Sequence, residues 1–416
     1  MKVIIAGGGI GGLSLALFLH KAGVPCKVFE KVPKIQHLGV GITLLPHAVK
    51  ALDEIGLVGA LDRLGVQTDR MIFRTRAGQD VWNAPRGLAA GYDVPQITAH
   101  RADIHDVLLD AVSERLPAGT LTLDAAFESV EDTGDGVRAT FRREDGSTLV
   151  EDGDVLIGAD GIHSAVRRWM NPDEGAPRWS GLMLWRGSVD WPSVMDGHTI
   201  INSGGIDRKF IFYPIGPGRT EGTQLMNWAC VVRQAEPGAP APGREDWNRE
   251  AKAEVLHPIL EHFTVPETDI RAMVDATDVF WDFPMCDRDP LTSWTRGRVT
   301  LMGDAAHPMY PFGANGSAQA ILDARALGRL CGDAGGRTPE QVLAAYEQER
   351  LGPVNEVVAG NRSGGPERVI DEVEKRIADL PGERFDDLET VLPFAERDAI
   401  VNGYSRMAGF ANEQVR

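Results

Sequence analysis

The amino-terminal stretch of this chain combines two strand-like runs with a dense cluster of glycines. Residues 2–6 are apolar after the first lysine, as in a buried strand, and the six-residue segment Gly7-Gly8-Gly9-Ile10-Gly11-Gly12 follows directly. Residues 13–22 have the composition of a buried helix, and residues 26–29 form a second strand-like run that delivers Glu30. A strand, a glycine turn, a helix and a second strand make a βαβ unit, which commits the chain to an α/β fold.

The glycine spacing is G-x-G-x-x-G, which has a mechanical meaning in nucleotide-binding proteins. The first glycine makes a tight turn, the second lets a pyrophosphate approach the backbone, and the third lets the helix pack on the strand, while the acid after the second strand accepts ribose hydroxyls. An ordinary βαβ unit is the alternative, and the motif alone does not choose between FAD and NAD(P). The residues predicted to line this site are Gly7, Gly9, Ile10, Gly12, Glu30 and Lys31.

A second stretch of the same kind lies at residues 298–324. A short apolar run at residues 299–302 is stopped by Gly303 and delivers Asp304, and a turn rich in proline and glycine then leads to a helix predicted at residues 317–326. A helix start behind glycines presents free N–H groups and a partial positive charge, which suit an anion or a ring that becomes anionic. An ordinary strand–loop–helix corner is the alternative.

A third strand-like run, within residues 154–168, also ends in an acid and a glycine. Asp160 and Gly161 follow the apolar run, Ser164 stands near the next helix start, and Arg167 lies within that helix. His163 stands beside this motif, and we interpret it as structural. In open α/β sheets ligands bind outside the carboxyl ends of the strands, so the three stretches are predicted to meet at one cofactor.

Taken together, the three stretches resemble the single-component (group A) FAD-dependent aromatic hydroxylases over nearly the whole chain to about residue 362. Within that family the chain is most similar to the phenazine-carboxylate hydroxylase branch, and salicylate hydroxylases are somewhat less similar. The segments that carry the likeness to this branch are residues 38–46, 183–187, 227–228, 284–290 and 309–319.

The resemblance implies a fold and a division of the chain. The expected α/β architecture is a Rossmann-like FAD-binding domain with an inserted mixed β-sheet substrate domain and a helical C-terminus. Only one G-x-G-x-x-G is present, so no separate NAD(P)H domain is expected. The predicted ranges are 1–70, 101–180 and 285–362 for the FAD-binding domain, 71–100 and 181–284 for the substrate domain, and 363–416 for the C-terminal helical segment.

The resemblance also implies which residues contact FAD. Asp304 would bind the ribityl chain, and the helix start after residue 312 would face the isoalloxazine. An arginine at the start of the helix near residue 101 would contact the phosphate and ribityl region, which suits a bidentate guanidinium. Val40 and Thr43 are weaker assignments, since they also fit a turn before a helix. The full implied set is Val40, Thr43, Arg101, Asp160, Asp304, Gly313, Ala314, Asn315, Gly316 and Ser317.

The activity implied is that of a monooxygenase. In the family NADH or NADPH reduces FAD, molecular oxygen adds to give a C4a-hydroperoxide, and one oxygen atom passes to an electron-rich aromatic or N-heteroaromatic ring. Hydroxylation at a carboxylated carbon would also release carbon dioxide, and the sequence leaves both outcomes open. The cofactor supplies this chemistry, so no nucleophilic triad is needed.

Candidates for the catalytic and substrate positions follow from side-chain chemistry. A phenolic substrate needs a base or a hydrogen-bond partner, and a carboxylic acid substrate needs a cation. Three aromatic, strand-like runs in the middle region, residues 182–187, 209–214 and 224–232, are predicted to form one sheet. Arg186 could pair with a substrate carboxylate or with a partner inside this sheet, and the aromatic side chains of the three runs could simply fill the core. The catalytic candidates are Tyr213, Tyr310, Pro311 and His307, and the substrate candidates are Trp185, Arg186, Tyr213 and Tyr310.

Charge and cysteine content bound the remaining possibilities. The chain carries 43 lysines and arginines against 60 aspartates and glutamates, a net charge of −17 that argues against nucleic acid or an anionic membrane as partner. Its four cysteines are far apart and lack metal-ligand spacing, so we expect buried thiols in a reducing cytoplasm and no metal site. The protein is expected to be a monomer or a homodimer. A flavin halogenase is disfavoured because its tryptophan motif does not match. A non-enzymatic alternative is a flavin-binding, redox-responsive protein.

Local patterns give further expectations for the scaffold. Residues 46–57 look helical, and residues 71–82 look like a hairpin. Residues 245–262 look mostly helical, and residues 324–362 look helical with an interruption near Pro353. The charged, amphipathic residues 363–416, with expected breaks at Pro381 and Pro393, have no evident chemistry and are expected to cover a domain face or mediate a dimer contact.

Overall fold

The computed structural model describes residues 1–35, 40–243 and 249–415 of the chain. Its strands are β1 (Val3–Ala6), β2 (Cys26–Phe29), β3 (Gly41–Leu44), β4 (Val66–Thr68), β5 (Arg70–Arg74), β6 (Asp80–Pro85), β7 (Gln96–His100), β8 (Leu121–Thr122), β9 (Ala126–Asp132), β10 (Val137–Arg142), β11 (Thr148–Gly153), β12 (Val155–Gly158), β13 (Arg178–Pro192), β14 (Thr199–Ser203), β15 (Arg208–Pro217), β16 (Thr223–Arg233), β17 (Phe280–Asp287), β18 (Thr295–Arg296) and β19 (Val299–Leu301).

The helices occupy the connections and most of the carboxyl-terminal third. They are α1 (Ile10–Lys21), α2 (Pro46–Asp53), α3 (Val58–Leu64), α4 (Arg101–Arg115), α5 (Ala165–Met170), α6 (His257–Leu260), α7 (Ile270–Asp275), α8 (Gly316–Gly332), α9 (Pro339–Arg362), α10 (Arg368–Ile377), α11 (Leu388–Val391), α12 (Phe394–Met407) and α13 (Asn412–Val415). Short 3-10 turns lie at Gly87–Ala90, Ala253–Val255, Gly303–Ala305, Phe312–Ala314, Gly365–Glu367 and Pro381–Glu383.

A six-stranded sheet in the order β18-β19-β12-β1-β2-β8 forms the first layer. Its strands are parallel except for the short edge strand β18, and β1 pairs with β2 on one side and β12 on the other. Because β1 and β12 are buried at every position, they read as continuous apolar runs rather than alternating ones. The predicted Rossmann-like unit is confirmed.

A seven-stranded mixed sheet in the order β17-β13-β16-β15-β14-β5-β6 forms the second layer. The predicted hairpin at residues 71–82 is confirmed as β5 and β6, and the three aromatic runs of the middle region become β13, β15 and β16. One face carries a core of tryptophan and phenylalanine side chains covered by α6 and α7. The division of the chain into the domain ranges given above stays a prediction.

The carboxyl-terminal helices cover the β5–β6 end of this mixed sheet. Side chains from α10 and α12, among them Val369, Ile370 and Val401, share a core with Phe73 and Trp82 of the hairpin. Residues after 362 are therefore integrated into the fold through a continuous apolar contact. Pro381 opens a 3-10 turn and Pro393 precedes α12, so both predicted breaks are confirmed.

Three secondary-structure expectations differ from the structure. The helix beginning at Pro46 ends at Asp53 rather than Leu57. Of the segment predicted to be mostly helical, residues 245–248 lie outside the described part of the chain. Residues 249–262 contain only a 3-10 turn and the four-residue α6, so the prediction was wrong for these residues.

Helix α9 passes through Pro353 without a break. A proline removes one main-chain bond, yet Val354, Val357 and Val358 on the buried face hold the helix in place. The interruption predicted near Pro353 lies instead at residues 333–338, before the capping box formed by Thr338 and Gln341.

Candidate cofactor and substrate site

The predicted ligand-type residues gather at the carboxyl edge of the parallel sheet. The glycine cluster follows β1, Glu30 follows β2, Asp160 follows β12 and Asp304 follows β19. These four strands are hydrogen-bonded neighbours running in the same direction. The three separated stretches are therefore brought together at one edge, which is where open α/β sheets bind their ligands.

The glycine turn has the shape that the spacing predicted. Gly7 adopts a φ of +112°, and a Cβ there would lie 2.3 Å from the Ala159 carbonyl oxygen. A Cβ on Gly12 would lie 2.0 Å from the Gly7 carbonyl oxygen, so the helix can approach the strand only with glycine. A Cβ on Gly9, in contrast, would meet nothing within 4 Å. The open side of the turn is thus at Gly9, where a pyrophosphate could reach the backbone.

Two side chains fix this turn from the neighbouring elements. The Glu30 carboxylate accepts hydrogen bonds from Gly8 N at 2.7 Å and from Val32 N at 3.1 Å. A carboxylate has about four acceptor positions, so Glu30 retains capacity for ribose hydroxyls. His105, which the sequence reasoning missed, lies on α4 and its Nε2 donates to the Gly8 carbonyl at 2.8 Å. Its position four residues after Arg101 on one helix was the available signal.

Asp304 and Arg101 form the charged floor of a cleft beside the turn. Asp304 is solvent-exposed although protein surrounds it on most sides, as expected for a group at the bottom of a depression. Loss of hydration raises its pKa, and the opposing attraction of His307 and Arg101 reduces that shift. The same loss of hydration lowers the pKa of Arg101 against the attraction of Asp304. The two charges therefore attract each other, and the exposed Asp304 carboxylate is accessible to a polar ligand.

Asp160 and Arg167 serve mainly to hold this edge together. The Asp160 carboxylate accepts from the Ser164 hydroxyl and from the backbone N–H groups of Ala165 and Val166, so it caps α5. The buried Arg167 guanidinium donates to the Ala305 and Ala306 carbonyls at 3.1 and 2.7 Å. The FAD contact implied for Asp160 stays a prediction, while Arg167 links the second and third motifs.

A tight loop, residues 310–316, leads into α8 and is called here the α8 loop. Gly313 has a φ of +70° and Ala314 a φ of +55°, so two successive residues lie in the left-handed region. Asn315 stands at the N-cap position, yet its side chain makes no capping hydrogen bond to the first turn of α8. The first-turn N–H groups of α8, including those of Gly316 and Ser317, are therefore available to an anion or an electron-rich ring.

His307, a catalytic candidate, belongs instead to a buried network behind α8. Its Nε2 lies 2.6 Å from Asp323 Oδ2, and the other Asp323 oxygen accepts from Arg350 Nε at 2.8 Å. Burial opposes ionisation of the Asp323 carboxyl, yet His307 and Arg350 hold the pKa of Asp323 below its usual value. Asp323 also accepts from Gly303 N, next to Asp304. His307 thus helps to fix the strand end that delivers Asp304.

A buried ion pair joins the mixed sheet to the α8 loop. Lys209 of β15 lies 3.3 Å from a carboxylate oxygen of Glu367, and both side chains are 4% exposed. The second Glu367 oxygen accepts from Gly313 N at 3.1 Å, while Lys209 Nζ lies 4.4 Å from the centre of the Phe312 ring. Neither residue was predicted, because they are 158 positions apart and their pairing depends on tertiary structure.

The face of the mixed sheet opposite its aromatic core is directed towards the cofactor edge. Three of its side chains hold Gly41 at the start of β3: Arg186 and the Tyr213 hydroxyl donate to the Gly41 carbonyl at 2.8 and 3.1 Å, and Asn227 accepts from Gly41 N at 2.8 Å. Val40 accepts from Arg101 N at 2.9 Å. Residues 38 and 39 of the predicted flavin-contacting segment lie outside the described residues.

The roles predicted for individual aromatic residues change in this geometry. Trp185 packs in the aromatic core, on the face opposite its neighbour Arg186, so the structure does not bring it together with the other site residues. Burial raises the pKa of Tyr213. Burial and the negative charge of Asp287 raise the pKa of Tyr310, whose hydroxyl is hydrogen-bonded to the Asp287 carboxylate. These shifts oppose a role as base for either tyrosine and leave them as hydrogen-bond donors.

Apolar side chains complete the wall between the sheet and the α8 loop. Leu184, Phe283 and Phe312 share one small core to which Ala229 and Tyr310 are packed. Pro311, expected to line a ring face, is exposed at the turn before Phe312. A flat apolar ligand could lie against this wall with polar contacts only at its ends.

The described part of the chain contains neither a metal-ligand cluster nor a membrane-spanning helix. Within residues 1–35, 40–243 and 249–415, no group of three or more His, Cys, Asp or Glu side chains is placed to hold a metal ion. No helix in the same part of the chain combines the length and apolar character needed to cross a membrane.

Comparison with known proteins shows the family to which this chain belongs. Residues 1–361 match the profile of the FAD binding domain family. The chain is 37% identical over 386 residues to the phenazine 1,6-dicarboxylic acid hydroxylase PhzS of Lysobacter antibioticus, covering 91% of this chain and 92% of that protein. It is 32% identical over 415 residues to the 3-amino-4-hydroxybenzoate 2-monooxygenase PtnB3 of Streptomyces platensis, covering 98% and 96%.

Solved structures show the same fold. The crystal structure of Klebsiella pneumoniae HpxO complexed with FAD and uric acid superposes with a TM-score of 0.75 at 24% identity, covering 100% of this chain and 96% of that one. The cleft described above offers an open glycine turn, an exposed carboxylate and an uncapped helix start, and these features fit FAD. The chain therefore belongs to the FAD binding domain family and is an FAD-dependent monooxygenase related to the aromatic-ring hydroxylases.

Proposed function

We propose that this chain hydroxylates an aromatic or N-heteroaromatic carboxylic acid, using molecular oxygen and either NADH or NADPH. Named relatives act on phenazine 1,6-dicarboxylic acid, on 3-amino-4-hydroxybenzoate and on 6-hydroxynicotinate. Each of these molecules is a planar ring that carries a carboxyl group. An apolar wall with a cation at one end is the recognition such a molecule requires.

The observation that carries the proposal is the pair of arginines in the cleft. Burial lowers the pKa of Arg186 to about 10, Tyr213 opposes that shift and the positive charge of Arg101 adds to it. Both guanidiniums remain charged at neutral pH, and the negative charge of Asp304 offsets part of the positive charge of Arg101. A bound carboxylate would relieve this repulsion and the loss of hydration, so an anionic ligand is favoured at the Arg186 end.

The residues around the cofactor position have separate tasks in this proposal. Gly9 and the turn would receive the pyrophosphate, Glu30 the adenosine ribose, and Asp304 with Arg101 the ribityl and phosphate region. FAD, when bound, supplies the reduction by NAD(P)H and the activation of oxygen. The N–H groups at the start of α8 would stabilise negative charge on its ring.

The remaining side chains position the substrate and keep water out. Leu184, Phe283 and Phe312 would cover the ring of the acid, which limits the access of water to the reacting atoms. The pKa of Tyr213 and that of Tyr310 are raised, and their hydroxyls already donate to the Gly41 carbonyl and to the Asp287 carboxylate. These tyrosines would therefore hold the lining of the site in place rather than remove protons. Simple and decarboxylative hydroxylation are both compatible with this arrangement and are separated by product analysis.

Arg186→Met tests the proposed carboxylate contact. NADH and NADPH oxidation would be followed in air with phenazine, pyridine, quinoline and benzene carboxylates, each beside its methyl ester, with peroxide and carbon dioxide quantified. We expect the wild type to oxidise NAD(P)H faster with one class of acid than with its ester. In Arg186→Met the KM for that acid should rise about 10- to 100-fold, as for loss of one charge-assisted bond.

The matched control is Arg138→Met, which removes an arginine from an exposed pair on β10 far from the cleft. Its KM should equal that of the wild type. Equal preference for acid and ester in the wild type would contradict recognition of a carboxylate. Slow peroxide release with every ring, without any product, would favour the flavin-binding, redox-responsive alternative.

A further inference from the structure

The carboxyl-terminal helix α12 reaches the α8 loop through one residue, Tyr404. Its hydroxyl lies 2.8 Å from Asn315 Nδ2, from which it accepts, and 2.6 Å from Asn361 Oδ1, to which it donates. Asn361 in turn donates to the Tyr310 carbonyl at 3.1 Å. Residues 89 positions apart in the sequence are thus joined by a short chain of buried polar groups.

The ring of Tyr404 also determines the path of the loop. A Cβ on Gly313 would lie 2.4 to 2.5 Å from the Tyr404 hydroxyl and ring carbons, so the Gly313 backbone lies directly against this side chain. Tyr404 is 6% exposed. The left-handed conformations of Gly313 and Ala314 are costly for the alanine, and they persist only where surrounding contacts hold them.

The contact has a consequence for Asn315. Asparagine is among the side chains that best cap a helix by accepting from its first-turn N–H groups. Here the Asn315 amide donates to Tyr404 and to the Gly313 carbonyl at 3.0 Å, and its oxygen accepts from Gln319 at 3.3 Å. With these bonds in place the side chain does not cap α8, so the first-turn N–H groups stay available.

We propose that Tyr404 is a positioning residue that, by holding Asn315 and Gly313, keeps the start of α8 open towards the flavin ring. The carboxyl-terminal segment then contributes to the redox chemistry although it lies outside residues 1–361 that match the family profile. Because the uncapped N–H groups favour negative charge, they stabilise reduced, anionic flavin more than oxidised flavin. Tyr404 should therefore affect the balance between the two redox states.

The test compares Tyr404→Phe with wild type by two measurements made without any aromatic substrate. One is the midpoint potential of bound FAD, and the other is the affinity of FAD-free protein for oxidised FAD. Phenylalanine keeps the ring against Gly313 and removes only the hydroxyl. We expect the affinity for reduced FAD to fall about fivefold relative to that for oxidised FAD, the effect of one buried hydrogen bond, so the potential becomes more negative.

Tyr92→Phe is the matched control. The Tyr92 hydroxyl donates to the Phe410 carbonyl at 2.6 Å, so it also binds the carboxyl-terminal segment but does not touch the α8 loop. Its FAD potential should equal that of wild type. If the tyrosine acts through Asn315, Tyr404→Phe should have much less effect in an Asn315→Ala background, as a double-mutant cycle would show.

A midpoint potential in Tyr404→Phe equal to that of wild type and Tyr92→Phe would overturn the role of Tyr404. This holds even if oxidised FAD binds more weakly, because a purely structural contact would lower the affinity for both redox states equally. If Tyr404→Phe does not fold, Asn361→Ala, which removes the acceptor of the Tyr404 hydroxyl, should make the potential more negative in the same way. This role rests on the proposed function, yet neither readout needs a ring substrate, so failure to hydroxylate any acid leaves the test intact.

Discussion

Glu367→Gln should destabilise the protein strongly because it leaves a buried ammonium group without its counter-ion. Lys209 and Glu367 are each 4% exposed and lie 3.3 Å apart, so solvent and salt screen the pair very little. Removing one partner of such a pair typically costs about 3 to 5 kcal/mol, since the remaining charge stays buried. The glutamine oxygen can still accept from Gly313 N, so the variant removes only the negative charge opposite Lys209.

Urea unfolding of the FAD-free protein, followed by circular dichroism, measures this cost. We expect the midpoint to fall while the slope stays unchanged. A double variant, Lys209→Met with Glu367→Gln, should recover most of the stability, because an apolar side chain needs no counter-ion. Breaking the exposed pair of Arg138 and Asp152 by Arg138→Gln should give no measurable change. A loss below about 1 kcal/mol in Glu367→Gln would refute the assignment of this pair as a buried, unscreened contact.

Two further predictions concern the glycine turn and a buried carboxylate. Gly9→Ala should leave the FAD-free protein as stable as wild type yet weaken FAD binding at least tenfold, because its Cβ occupies only the open side of the turn. Gly12→Ala should lower the free energy of unfolding by about 3 kcal/mol or more, because its Cβ would meet the Gly7 carbonyl. Thermal melts together with FAD titrations distinguish the two variants. Burial and nearby carboxylates raise the pKa of Asp371 from 3.8 to about 7 against the bond from Ile206 N. Between these two pH values only the folded state keeps the proton, so the stability of the wild type should fall as pH rises from about 4 to 7. Asp371→Asn should remove that decline and be more stable than the wild type by about 1 to 3 kcal/mol at pH 8. Urea unfolding midpoints at pH 5 and pH 8 measure both effects.

The parallel sheet and its ligand edge could be predicted because the signals are local. Gly7 and Gly12 have no alternative at their positions, and Asp160 and Asp304 each follow a short apolar run directly. A strand end, a turn and a helix start are set by neighbouring residues, so the sequence pattern is enough. Membership of one family then follows from three such local patterns in the right order.

The substrate wall could be predicted only in part. Trp185 and Arg186 are adjacent in one strand and must point to opposite faces, so only one of them can face the cleft. The sequence did not say which, because a tryptophan suits both an aromatic core and a ligand wall. In the structure Trp185 belongs to the core, whereas Arg186 donates to Gly41.

The long-range polar contacts could not be predicted from local patterns. Lys209 with Glu367, and Asn315 with Tyr404, join residues 158 and 89 positions apart. Nothing in the charged, amphipathic sequence after residue 362 distinguishes Tyr404 from a surface tyrosine. The expectation that this segment has no chemistry of its own stays untested, and the role proposed for Tyr404 would give it an indirect part in the redox chemistry.

The proposed activity is the insertion of one atom of molecular oxygen into an aromatic acid, with FAD as cofactor. The most direct test is turnover under ¹⁸O₂ with NADH or NADPH and the acid that best stimulates oxidation, followed by mass spectrometry of the product. We expect one ¹⁸O atom per hydroxylated product and one NAD(P)H consumed per product, with little peroxide. Oxygen in the product that comes from water, or NAD(P)H oxidation that yields only peroxide with every acid tested, would contradict it.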